Sequence, residues 1–279
     1  MKVGYWSEGK ATWVDASKHG INVHAKPNSF KCHYAASETQ LHAVPEASPF
    51  GYKYAASETQ LHDNSNVAIW FLENDLHHGK KLNMQFTNNN VAKFLPKEVA
   101  NSIPFSSNKM ENILDKFSIK KGSKEYEIVK YTINDCEEKG MKGEEQLCVT
   151  SLESMVDFAT SKLGNNVEAI STEVEKECSK LQQYVIAKGV KKLGKDNKVV
   201  TCHKENYPYA VFYCHKTNGT NAYSVPLEGG NKVKAVAVCH TDTSQWNPKH
   251  LAFQVLKVQP GTVPVCHFLP QDHVVWVSK

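Results

Sequence analysis

Four Cys-His dipeptides, Cys202-His203, Cys214-His215, Cys239-His240 and Cys266-His267, fall within 66 residues near the end of the chain, with 10, 23 and 25 residues between them. Neighbouring side chains on an extended strand point to opposite faces. A strand with such a dipeptide can fix its backbone through the cysteine on one side and display the imidazole on the other. Several such strands would build a rigid histidine cluster, and imidazole clusters bind transition metals. An adjacent Cys and His on one strand cannot easily reach the same ion, and the close Cys-x-x-Cys pairs of thiolate zinc sites are absent. The four cysteines are therefore assigned to disulfides, and His203, His215, His240 and His267 to a metal. Four cysteines allow three pairings, among which the sequence does not choose. All-imidazole ligation suits copper or zinc. His77, His78, His250 and His273 are weaker candidates, each by itself more in keeping with a plain surface histidine.

Cys136 and Cys148 frame a charged, glycine-bearing segment with no core of its own, and a disulfide is expected to close it. Such a bridge would stabilise the fold by about 2–3 kcal/mol. Cys32 and Cys178 have no evident partner. A disulfide framework implies an oxidising compartment, so secretion is expected. The N-terminal MKVGYWSEGKATWV lacks the apolar stretch of a signal peptide. A secreted protein with this start is expected to be numbered after signal removal or to be truncated. No apolar run reaches the length of a membrane span. The net charge of +4 comes from scattered lysines with no basic patch, which gives nucleic-acid binding no support.

The order of elements argues an α+β fold with a flexible tail, a helical first half of the domain and a β-rich C-terminal half. Residues 1–66 are polar, lack sustained periodicity and are read as the tail; residues 67–279 are read as the folded domain. The tail contains an exact duplication: Tyr34 to His42 recurs as Tyr54 to His62, both reading YAASETQLH. The preceding residues differ, Phe30-Lys-Cys-His33 against Phe50-Gly51-Tyr52-Lys53. The pattern fits either a linker duplication or a constant recognition tag after a variable cargo. Val67 to Leu72 reads as the first strand. Helices are expected over Ser107–Phe117, over Ser151–Leu163 with a Thr150/Glu153 capping box and Gly164 as the stop, and around Thr172–Ala187. Strands are expected at Lys198–His203, Tyr209–His215, Lys232–His240, Leu251–Val258, Val263–Leu269 and His273–Val277. There is no Gly-rich phosphate loop, nucleophile elbow or His-Glu-x-x-His pair. Asp242-Thr-Ser244 beside His240 reads as a turn.

Together these features resemble the plant BURP-domain family. The resemblance rests on the run from Phe71 to Phe86, on Phe94-Leu-Pro, Ile103-Pro-Phe-Ser-Ser107, Ser151 to Phe158, Asn206 to His215 and Val238 to Pro248, and on the repeated Cys-His pattern. It covers roughly residues 54–279, and the tag beginning at Tyr54 is similar to that of the dehydration-responsive branch. The spacer between the second and third pairs is slightly short, and His78 stands where a proline is usual. Some members of the family are copper-dependent peptide cyclases that join a Trp or Tyr side chain to an unactivated carbon of a core peptide, often in their own tail. Others are stress-responsive or cell-wall proteins with no established reaction.

The resemblance thus implies disulfides at the Cys-His cysteines, copper at the histidines, and a core peptide in cis or in trans as substrate. Joining a phenol oxygen to a C–H carbon needs an oxidant, which copper with O2 supplies and zinc, lacking redox chemistry, does not. The candidate cores are Phe30–Tyr34 and Phe50–Tyr54, each ending in the tyrosine that opens the tag. Two alternatives stand beside the cyclase. One is a non-catalytic extracellular stress or cell-wall protein, with wall components as partners. The other is a zinc-stapled structural domain.

Overall fold

The computed structural model describes residues 2–7, 10–17, 20–27, 52–56, 70–86, 92–175, 178–195 and 198–279. Near the N-terminus the strands β1 (Lys2–Ser7), β2 (Lys10–Ser17) and β3 (Gly20–Pro27) pair in an antiparallel meander. The sequence reading had given this stretch no regular structure. The candidate core Phe30–Tyr34 and the residues Phe50 and Gly51 lie outside the described residues.

Two sheets form the body of the protein. The first runs β6 (Glu144–Val149), β12 (Val211–Thr217), β11 (Val199–Glu205), β16 (Val274–Ser278), β7 (Val167–Ile170). The second runs β4 (Trp70–Leu72), β15 (Val265–Phe268), β14 (Lys232–His240), β13 (Thr220–Glu228), β9 (Cys178–Ile186), β5 (Lys81–Phe86), with the short strands β8 (Glu173–Val174) and β10 (Lys191–Leu193) added to β14 and β13. Alternation along each strand sorts its side chains between two layers. On β11, Val200 and Cys202 face a core shared with Met155, Phe158 and Ala159 of the Leu152–Leu163 helix, together with Trp276. On β14, Ala237 and Cys239 face a core with Phe71, Leu82 and Phe268. The alternate residues Val199, Val236, Val238, Val275 and Val277 meet one another between the sheets.

The chain passes from the first sheet to the second at the turn between β12 and β13. Gly219 holds φ +71° there, a left-handed conformation that suits glycine. A Cβ at this position would also collide with Thr241 Oγ1. Thr241 N donates to Gly219 O at 2.9 Å, and Thr220 lies opposite His240 in the ladder. This tight turn brings the end of β12, with His215, beside the end of β14.

Helices at Lys97–Asn101, Met110–Phe117 and Lys124–Glu137 precede most of the strands, so the fold is α+β as expected. The Leu152–Leu163 helix starts one residue later than read. Its cap is Ser151, whose hydroxyl accepts from Ser154 N, and Ser154 completes the capping box in place of Glu153. Two readings are corrected. The described residues of Thr172–Ala187 hold β8 and β9, not a helix. Leu251–Leu256 is a helix capped by His250, not a strand. The segment framed by Cys136 and Cys148 is no plain loop either, because β6 occupies its second half.

Candidate metal centre

Three disulfides are present: Cys136–Cys148, Cys202–Cys214 and Cys239–Cys266. Of the three pairings open to the four Cys-His cysteines, the fold takes the one that joins cross-strand neighbours. Cys202 lies opposite Cys214 on β11 and β12, and Cys239 opposite Cys266 on β14 and β15. Each bridge lies on the face of its sheet turned away from the other sheet. The histidine after each cysteine therefore points between the sheets. His203 and His215 come from one layer, His240 and His267 from the other, and all four are buried.

The rings face one another, with centroids 5.3 Å apart for His203–His215, 5.8 Å for His203–His267, 5.5 Å for His240–His267 and 6.4 Å for His215–His240. In each ring Nδ1 has an outward neighbour: His273 Nδ1 at 2.9 Å from His203, Glu144 Oε1 at 2.9 Å from His215, Thr220 Oγ1 at 3.5 Å from His240 and Phe268 O at 3.4 Å from His267. A carboxylate or a carbonyl only accepts, so the neutral tautomer that suits these neighbours of His215 and His267 has its proton on Nδ1 and its Nε2 lone pair turned inward. This outer arrangement is the one that orients metal-ligating histidines. Burial, followed by the other histidines, holds His203 and His240 well below the usual imidazole range. Burial also brings His267 down to about 3, against the Phe268 carbonyl contact that raises it. Neutral rings are the form that binds a metal.

The pocket between these rings contains Tyr52. Its ring stacks on Trp246 at 3.9 Å and 5°, and Trp70 meets it edge-on at 6.5 Å. Its hydroxyl lies 2.8 Å from His240 Nε2 and 3.2 Å from His267 Nε2. Burial, with the Glu144 charge adding to it, pushes the phenol well above its ordinary range, so Tyr52 is a neutral phenol. Asn247 holds the segment from outside, its N–H donating to Tyr52 O at 2.9 Å and its Nδ2 to Lys53 O at 3.1 Å.

Among the described residues, no three His, Cys, Asp or Glu side chains stand in ready metal-binding geometry. The donor set nonetheless passes a test of fit. Both nitrogens of His215 are buried without a directed hydrogen bond; Nδ1 keeps the close contact with Glu144, and Nε2 is an orphan of the sort that a metal relieves. His240 Nε2 and His267 Nε2 are 3.4 Å apart, less than twice a metal–imidazole bond of about 2.0 Å. The weaker candidates separate. His77 and His78 are exposed and away from the cluster, His77 Nδ1 contacting the His78 carbonyl. His250 accepts from Ala252 N as a helix cap while its ring flanks Tyr52 at 5.9 Å. His273 orients His203.

Glu144 went unread in the sequence. Burial raises its carboxyl, but the His215 contact, with the Met141 N–H and the Tyr213 hydroxyl, outweighs this and leaves it below the ordinary carboxylate range. Were copper held by these rings, Glu144→Gln would be expected to weaken its binding about 10- to 100-fold, as loss of an orienting carboxylate does elsewhere, measured by competition with a chelator. An unchanged affinity would show that Glu144 does not orient His215 for a ligand.

These features define a class of protein: a double-layered α+β domain whose disulfide-pinned sheets enclose four histidines and a tyrosine from the chain's own N-terminal segment. The BURP domain family model matches residues 69–278, and the chain belongs to the BURP-domain family. It is 52% identical over 268 residues to BURP domain protein RD22 of Arabidopsis thaliana, which covers 92% of this chain and 63% of that protein. It is 51% identical over 267 residues to BURP domain-containing protein 3 of Oryza sativa subsp. japonica, covering 93% and 57%. With BURP domain protein USPL1 of Arabidopsis thaliana it shares 38% over 231 residues, covering 78% and 82%. The chain thus spans less than two thirds of the length of the first two relatives. Among the described residues no helix is long and apolar enough to cross a membrane.

Proposed function

We propose that this protein is a secreted, copper-dependent peptide cyclase whose substrate is a core peptide in its own tail, with Tyr52 as the reacting side chain. The observation that carries this reading is the seating of the Tyr52 hydroxyl against the Nε2 atoms of His240 and His267, inside a candidate core peptide defined by sequence alone. His203, His215, His240 and His267 would hold the ion through Nε2. A bound copper ion supplies one-electron redox chemistry and a position for O2. In the net reaction the Tyr52 O–H and one C–H of the same peptide are broken and an O–C bond forms. The two hydrogens leave as two protons and two electrons, and O2 is reduced to hydrogen peroxide.

The protein's own contribution is positioning and proton handling. Trp246 and Asn247 fix the ring and its carbonyl, which lowers the entropic cost of reaching a reactive geometry. His240 Nε2, at hydrogen-bond distance, is placed to take the phenolic proton. Burial keeps bulk water from a reactive tyrosine.

The same contact also supports a second reading, in which Tyr52 is a hydrogen-bonded plug in a non-catalytic extracellular stress or cell-wall protein. The full chain, stripped of metal and then exposed to Cu(II) in air, separates the two. The cyclase reading expects the tryptic fragment containing Tyr52 to lose the mass of two hydrogens, dependent on both copper and oxygen. Bound copper with an unchanged fragment mass would remove the reaction in cis and leave the plug. Stoichiometric zinc after native purification would favour a structural metal.

A further inference from the structure

A pair of carboxylates outside the histidine cluster also grips the tail segment. Asp135 lies in the last turn of the Lys124–Glu137 helix, and Glu138 is the residue that ends it. Cys136 between them is tied to Cys148, which fixes this helix end against β6. Tyr54 Oη donates to Asp135 Oδ1 at 2.7 Å and lies 3.1 Å from Glu138 Oε2. Lys53 Nζ lies 3.0 Å from Glu138 Oε2 and 4.0 Å from Asp135 Oδ1, held as a charge without a directed hydrogen bond. Ala56 N donates to Lys249 O at 2.8 Å. Asp135 is buried, and a buried carboxylate needs such partners.

These contacts divide the segment in two. Tyr54 and Ala56, bound through a phenol and a main-chain amide, belong to the nonapeptide that the chain carries twice. Tyr52, which reaches the histidines, belongs to the part that differs between the copies. At the offset of 20 the first copy has Cys32 in its place and His33 in place of Lys53.

We propose that Asp135 and Glu138 form a docking site for a cation followed by a phenol, and that this site sets which tail residue enters the histidine pocket. The ligand class is an extended peptide of the form aromatic–Lys–Tyr–Ala–Ala. The repeated tag is the docking half, and the residue two places before its tyrosine is the one presented. Anchoring Tyr54 at the carboxylates puts Tyr52 at the histidines and keeps Tyr54 away from them. The inference deepens the cyclase reading but is tested without copper, so the two can fail separately.

Lys53 is itself a trypsin site, and trypsin can use it only when its side chain leaves the carboxylates. Limited digestion of the full, metal-free chain, followed by mass spectrometry, reads this release. Asp135→Asn/Glu138→Gln is expected to speed scission after Lys53 about tenfold, the scale of a hydrogen bond to a charged group, while scission after the exposed Lys121 stays constant. Tyr54→Phe, which changes only the peptide side, is expected to speed scission after Lys53 in the same direction. Lys53→Arg keeps both the charge and the cleavage site and is expected to stay protected. Unchanged scission at residue 53 in Tyr54→Phe, or in the carboxylate variant with Lys121 cleavage constant, would overturn the proposal.

Discussion

Tyr52→Phe is expected to abolish the copper- and oxygen-dependent mass loss outright, and Tyr54→Phe to retain it at a reduced rate. The difference follows from where the two phenols sit. Tyr52 holds its oxygen within 3.2 Å of two imidazole Nε2 atoms, and phenylalanine removes the atom that would form the new bond. The ring would stay stacked on Trp246, so the change is small in volume and leaves the pocket filled. Copper uptake should be kept, because the Nε2 atoms of His240 and His267 lose a competing hydroxyl. Tyr54 instead faces Asp135 and Glu138, and its loss loosens docking without removing a reacting atom. Intact-tail mass spectrometry and copper titration of both variants check this. A Tyr52→Phe protein that still lost two hydrogens from the tail would put the reaction at another residue.

The sequence reading placed the tyrosine of interest at the end of each candidate core, where the tag opens. The fold instead takes the one two residues earlier. The reason is non-local: the acceptors of Tyr54 stand on a helix end more than 80 residues away, and no local pattern announces them. Glu144 was illegible for a related reason. It reaches His215 because β6 pairs with β12 in a register that sets Gln146 opposite His215, which places Glu144, two residues along, on the same face.

What was legible depended on period-two alternation. The Cys-His dipeptides gave the facing of bridge and imidazole because strand geometry decides it residue by residue. The pairing of the cysteines needed the strand order. The two misread elements were stretches in which a helical and a strand period both fit. Thr172 to Ala187 was read as a helix, yet in β9 Leu181 is half exposed while Tyr184 and Ile186 are buried. Leu251 to Val258 looked like a strand, but His250 caps Leu251–Leu256 as a helix.

The second large effect concerns the histidines. His203→Ala/His215→Ala and His240→Ala/His267→Ala each remove the ligands that one sheet contributes, and each is expected to cut copper affinity by more than about a hundredfold, beyond the loss of an orienting partner. His77→Ala should change nothing, because that ring is exposed and turned to its neighbour's carbonyl. Thermal unfolding gives a second measure. Binding to the folded form alone stabilises it by about 2.7 kcal/mol when free copper is at 100 times Kd, so copper should raise the wild-type Tm and leave either double variant unmoved. Truncating buried imidazoles also opens space between the sheets and lowers the metal-free Tm. The informative quantity is therefore the copper-induced shift within each variant. A shift of wild-type size in both double variants would place the ion elsewhere and leave the two layers of histidines as a hydrogen-bonded core around Tyr52.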